Sequence, residues 1–276
     1  MILEVLAVVV GVVAIGAVVA SAIRTVILPR SAQSLLTAIV FRVIGAVFFT
    51  VASARLEYGR RDSIMALYGP TSLLALVAAW LGATMFGFTL LFWAAGVGSL
   101  GDAFHLSGSS ITTLGFAPAT TLLTRALAFI EAGLGLVLVA LLITYLPSMY
   151  SAFSTRETRL TLLEVRAGSP PSAVELLSRH ARIGWLDRLD QEWLLWEEWF
   201  AVIEETHTTY AILPFFRSPQ PDRSWVTGAG TVLDAAALHH STIDVDPSPQ
   251  AAVLIRGGFI ALRRIADFFG IHHDPE

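Results

Sequence analysis

Apolar residues run almost without interruption over four stretches of this chain, residues 2–28, 32–53, 71–97 and 121–150. Each exceeds the roughly 20 residues that cross a hydrocarbon core, so the pattern predicts four transmembrane helices. Between the second and third stretches lie Arg55, Arg60 and Arg61, and after the fourth come Arg156 and Arg159. Positive residues close to membrane ends favour the cytoplasmic side. Both segments share that side only if residues 98–120 enter the bilayer and return without crossing it. The N-terminus then lies inside, and the first loop, with Arg24 and Arg30, lies outside. The first stretch has no positive n-region and is too long for a signal-peptide core, so it reads as a retained helix. Arg42 falls in mid-span, where pairing with a neighbouring helix is the expected role.

Beyond residue 150 the pattern changes. Leu160, Leu162 and Leu163 stand among charges, as in an amphipathic connector, and Gly168-Ser169-Pro170-Pro171 breaks it. Ser172 followed by Glu175 signals a capped helix start. Over residues 186–213, Trp193, Trp196, Phe200, Ile203, His207 and Tyr210 recur at three- and four-residue steps, the stripe of a long helix facing a core or an oligomer interface. Residues 218–223 read as a loop. Ser224 can cap a helix to about residue 240, and a last helix covers about 250–269. The tail is therefore expected to be a bundle of four or five helices.

Composition agrees with this division. Hydrophobic residues make up 55% of the 276, and the formal charge is −4. Residues 1–150 hold seven arginines and five acids, whereas residues 151–276 hold eleven and seventeen. The acidic tail argues against nucleic acid as a partner, since phosphate binding needs clustered positive charge. There is no cysteine, which rules out disulfides and thiolate metal sites. There is no lysine either, a bias expected of a GC-rich bacterial genome and hence of a bacterial plasma membrane. Glu204 and His207 have the Glu-x-x-His spacing of di-iron bundles, and His239-His240 offer further ligands. A second such motif is missing, so these are weak metal candidates only.

The candidate chemistry lies in residues 98–120. Asp102 can cap a short helix over residues 103–112, whose partly negative C-terminal end would face the turn that follows and favour a cation there. Ser109-Ser110-Ile111-Thr112-Thr113-Leu114-Gly115-Phe116-Ala117-Pro118 then lies between two apolar runs. Non-helical backbone is tolerated at membrane depth only where protein or a water-filled cavity covers it. This segment resembles the pore loop of bacterial potassium channels, and residues 71–155 resemble their module of outer helix, pore helix, filter and inner helix. The family filter reads Thr-Val-Gly-Tyr-Gly-Asp. Here Thr113, Leu114, Gly115 and Phe116 match it in type, whereas Ala117 and Pro118 replace the second Gly and the Asp. Ala adopts that Gly's backbone conformation poorly, so the outermost ion site is expected to be lost or reshaped.

The resemblance implies a homotetrameric channel rather than an enzyme, with Thr112 to Ala117 as its filter and no cofactor beyond permeant monovalent cations such as potassium. Glu131 is expected to brace the pore helix through Ser109, Ser110 or Thr112. Gly133 and Gly135 mark either a bending point of the inner helix or close packing. The expected architecture is thus an all-α membrane protein. Residues 1–70 would form two helices and a cytoplasmic loop, 71–154 a pore module, and 155–276 a cytoplasmic helical gating domain. The alternative is a non-conducting sensor or scaffold built on a degenerate pore module.

Overall fold

The computed structural model describes residues 1–28, 34–53, 56–218, 220 and 223–272. Arg30 and Arg55 lie outside the described residues. The fold is helical throughout this set, without a strand. By contacts within the chain it divides into two compact units, Met1–Val51 with Pro70–Ser148, and Ala52–Gly69 with Met149–Glu276. The segment after residue 51 that the sequence groups with the first helices thus belongs with the tail.

The first unit begins with helix α1 (Ile2–Ala22), which loosens into a π-helical turn, Ile23–Ile27. Helix α2 follows (Leu35–Val51). Helix α4 (Tyr68–Ala94), helix α5 (Leu100–Ile111) and helix α6 (Leu122–Ala167) complete it. Three stretches, Ile2–Ile27, Gly59–Ala94 and Leu122–Ala167, are long and apolar enough to cross a membrane. Helix α2 occupies the second expected span but has 17 residues, about 25 Å of helix. Arg42 lies on its exposed side.

Apolar residues are turned outward in this unit. Leu3, Val5, Val12, Val13, Leu136 and Ile143 are exposed, as helices surrounded by lipid require. The contacts between helices use small and polar groups, which let backbones approach and hydrogen-bond in a medium without water. A Cβ placed on Gly11 would meet the Gly87 carbonyl oxygen at 2.7 Å, and one on Gly87 would meet that of Gly11 at 2.9 Å, so α1 and α4 touch backbone to backbone. Nearby, the Trp80 indole donates to Ser21 Oγ (3.0 Å), and Ser21 shares hydrogen bonds with Ser34 (2.6 Å) and Thr37 (3.2 Å). This buried clasp joins α1, α2 and α4.

The second unit has its apolar residues inside. It comprises helix α3 (Tyr58–Ala66), the end of α6, and helices α7 (Ala173–Arg182), α8 (Leu189–Thr209), α9 (Trp225–Ser241) and α10 (Pro249–Phe268). Trp193, Trp196, Trp199, Phe200 and Ile203 of α8 meet Val232, Ala235, Leu254 and Ala261 in one core. The stripe read from the sequence is therefore core, with the His207 ring 4.6 Å from that of Trp225.

Several expected boundaries move. The helix expected over 186–213 is α8 flanked by two 3-10 turns, Leu186–Arg188 and Leu213–Phe215. Ser172 caps α7 as expected, accepting from the Glu175 N–H. The inner helix does not fade near Pro147 but continues to Ala167 with Pro147 inside it. Proline removes one hydrogen bond and crowds one carbonyl, and beside it the Ser148 hydroxyl donates to the Thr144 carbonyl (3.1 Å).

Candidate functional site

Helix α5 starts one turn earlier than the sequence suggested. Its cap is Ser99, not Asp102. Ser99 Oγ accepts from the Asp102 N–H (3.2 Å), and Asp102 Oδ2 accepts from the Ser99 N–H (2.8 Å). The pair forms a capping box. The Ser-x-x-Asp pattern carried this signal, since a carboxylate three residues after a serine closes such a box more readily than it caps alone.

One face of α5 is buried through Ala103, Leu106, Ser107, Ser109, Ser110 and Ile111. Ala103 and Leu106 pack on Phe88 and Phe92 of α4, with Leu127, Ala128 and Leu134 of α6 against the same cluster. The short helix is thus wedged between the two long ones. At Gly135 of α6 an added Cβ would lie 2.7 Å from the Ile111 carbonyl oxygen, whereas at Gly133 it would meet open space. Gly135 therefore serves the close approach of α5.

Glu131 also holds α5, through a different partner from those expected. It is fully buried, and Ser107, two residues before Ser109, hydrogen-bonds its Oε1. Ser107 Oγ lies 3.0 Å from the Met85 carbonyl of α4 as well, so one hydroxyl joins all three helices. Ser107 has a single proton for these two acceptors. Glu131 Oε2 has no partner among the described residues. Sequence spacing does not reveal Ser107, because the choice among neighbouring hydroxyls depends on how α5 is rotated.

The helix ends in a tight turn. The Thr113 N–H donates to the Ser110 carbonyl (2.9 Å), and the Leu114 and Gly115 N–H groups both donate to that of Ser109 (3.0 and 3.3 Å). Thr113 has φ +57° and Gly115 +68°. The left-handed region costs a β-branched residue about 1–2 kcal/mol, so Thr113 is a local strain that the surrounding contacts must hold. Its hydroxyl donates to the Thr112 carbonyl (2.7 Å), and that of Thr112 to Gly108 (2.5 Å). Thr112, Thr113, Leu114, Gly115 and Phe116 are all exposed, Leu114 at 70% and Phe116 at 61%.

Ala117 behaves differently. It is half-buried against the α4–α5–α6 cluster, its N–H donates to Ser109 Oγ (3.0 Å), and it is not in the left-handed region. The returning segment is fixed by Arg125, absent from the expected set, whose Nε donates to the Ala119 carbonyl (3.0 Å).

In the tail, Glu204 and His207 are not brought together. Glu204 pairs with Arg264 of α10 (3.0 Å). His207 is buried with its Nε2 3.4 Å from Arg156 Nη1. Burial, and then the Arg156 charge, depress its pKa to about 3. His239 accepts from the Trp193 indole (3.0 Å), whereas His240 is exposed. Among the described residues no three metal-binding side chains gather. Arg156 is the most heavily engaged polar side chain here. It donates to the carbonyls of Leu213 (3.2 Å) and Phe216 (2.6 Å) and to Glu157 (3.0 Å). Phe216 lies where a Cβ on Gly69 would be, and Arg217 pairs with Asp62 of α3. No known protein family, curated protein or solved structure matches this chain.

Proposed function

We propose that the chain forms a homotetrameric cation channel, with residues 112–117 as the filter, in a bacterial plasma membrane that its four helical spans cross. The observation that carries this reading is α5 wedged between two long apolar helices, ending in a left-handed turn whose five residues are exposed. A helix C-terminus carries about half a negative charge, and the carbonyl and hydroxyl oxygens of Thr113 to Phe116 are hard donors suited to alkali cations. One chain cannot encircle an ion; four copies can cover the exposed Leu114 and Phe116 and face these oxygens across an axis. The selectivity is for monovalent cations, and the C-terminal domain lies in the cytoplasm. Because α6 runs without a break into the tail, a rearrangement of the tail bears on the inner helix directly.

Flux of rubidium or thallium into liposomes holding the full chain tests the proposal. Flux abolished by Gly115→Val, together with a tetramer by cross-linking, is the expected result. Absence of flux for every alkali cation, with the protein folded and tetrameric, overturns it. One observation favours the alternative of a non-conducting sensor: the bond from the Ala117 N–H to Ser109 holds the outer end of the filter against the protein. In that case the tetramer forms and no cation passes.

A further inference from the structure

In the second unit a cavity of about 620 Å³ opens between the end of α6 and α7. That volume suits a small organic molecule. Its walls are of two kinds. Leu162 and Val165 of α6, with Ile183 and Trp185 just beyond α7, give it an apolar side, and all four are exposed. Arg166, Arg179 and Arg182 give it a cationic side.

The arginines are held in place without being used up. Arg179 donates to Glu175 (2.6 Å) and to the Val165 carbonyl (2.7 Å). Arg182 donates to Glu175 (2.9 Å) and to the Ser178 carbonyl (3.3 Å). Arg166 pairs with Glu192 (3.1 Å) and donates to the Leu162 carbonyl (3.3 Å). Each guanidinium keeps one terminal nitrogen with no partner among the described residues, and Glu175 is the single carboxylate in the lining.

A second, independent feature points the same way. His180 lines the cavity yet is only 2% exposed. Its Nδ1 lies 2.8 Å from the Leu176 carbonyl, which can only accept, so in the neutral ring Nδ1 carries the proton and Nε2 accepts. Nε2 has no partner among the described residues. A ring nitrogen without a protein partner, on a residue otherwise buried, beside three cations and an indole face is the lining of a site. Water alone would leave Ile183 and Trp185 exposed at a cost.

We propose that this cavity binds a small organic anion bearing a flat apolar ring. The phosphate or carboxylate meets the free guanidinium arms, the ring lies against Trp185 and Ile183, and a hydroxyl or N–H of the ligand donates to His180 Nε2. Because α6 forms one wall, an occupant touches the helix that we read as the inner helix of a pore. Any effect on flux rests on that reading, whereas binding does not, so the two are measured separately.

Calorimetry on the detergent-solubilised full chain provides the test, with 1-naphthyl phosphate as probe and 1-naphthol and inorganic phosphate as its two halves, each corrected for protein-free micelles. The ester is expected to bind at least tenfold more tightly than either half. Arg182→Gln is expected to weaken it about tenfold, the loss of one charge-assisted contact, and Ile183→Asp to abolish it. Both side chains are mostly exposed, at 65% and 56%, so near-UV circular dichroism should stay unchanged. Equal binding of naphthol and its phosphate, or full affinity in Ile183→Asp, overturns the proposal.

Discussion

The two units solve opposite problems with the same helices. In the first, many leucines and valines face outward, while glycine, serine, threonine and one glutamate share the contacts with buried rings and leucines such as Phe88, Phe92 and Leu106. In the second, Trp193, Trp196, Phe200 and Leu254 fill the centre and most charges lie outside, the Arg156–Glu157 pair excepted. The difference shows where each unit's specificity resides. Where lipid replaces water, apolar burial hardly distinguishes one arrangement from another. Hydrogen bonds and backbone contacts, such as Ser107 with Glu131 or Gly135 with Ile111, then fix position together with the fit of Phe88 and Phe92. In the tail, packing of large rings supplies the stability, and the buried polar groups serve to tie segments together.

Arg156 breaks the tail side of this comparison most severely. Arg156→Met would strand Glu157 and two carbonyls in the interior, a loss of about 3–5 kcal/mol by analogy with other broken buried pairs. Chemical denaturation followed by tryptophan fluorescence reads it, because most of the tryptophans lie in the tail. A loss below about 1 kcal/mol would show that water reaches this cluster.

The membrane side is sharpened by two neighbouring glycines. Gly135→Val must push α5 away from α6, at a cost of about 1–3 kcal/mol for overpacking, and, on the proposed channel reading, should abolish flux. Gly133→Val, into open space, should leave assembly intact. Equal effects of the two in a flux and cross-linking assay would remove the packing role of Gly135.

Titration gives an intermediate effect. With the His207 pKa at about 3 when folded and at its ordinary 6.5 when unfolded, both states are neutral above pH 6.5 and stability is complete. As the pH falls from 6.5 towards 3 the unfolded state takes up the proton and the folded state does not, so stability declines. The slope is at most about 1.4 kcal/mol per pH unit. Denaturation midpoints across this window should flatten by about one proton in His207→Gln. The smallest effect is expected from Ser99→Ala, where losing the α5 cap costs about 1 kcal/mol, visible as faster hydrogen exchange at Ala103 and its neighbours.

Much of this architecture was legible beforehand, for identifiable reasons. Long apolar runs, the Ser172 cap and the α8 stripe depend on local spacing, and local spacing is what a sequence records. Helix α3 escaped notice because its nine residues include Arg60, Arg61 and Asp62 and show no apolar stripe. The extension of α6 escaped because proline reads as a stop when the turns beyond it are out of view. At the candidate site, Thr112 to Ala117 stand after a short helix as expected, but the cap, the partner of Glu131 and the role of Arg125 depend on how α5 is rotated between α4 and α6. That rotation is set by Phe88, Phe92 and Gly135, residues distant in sequence whose mutual fit no periodicity encodes.

The contact of Gly11 with Gly87 carries a consequence for how the chain tolerates insertions. Two backbones that touch at one level act as a key and a keyway: moving α1 by a single residue brings a valine, Val10 or Val12, to the Gly87 carbonyl. Lengthening or shortening either helix on the near side of that level should therefore be absorbed by the adjoining loop, while the paired glycines keep their register.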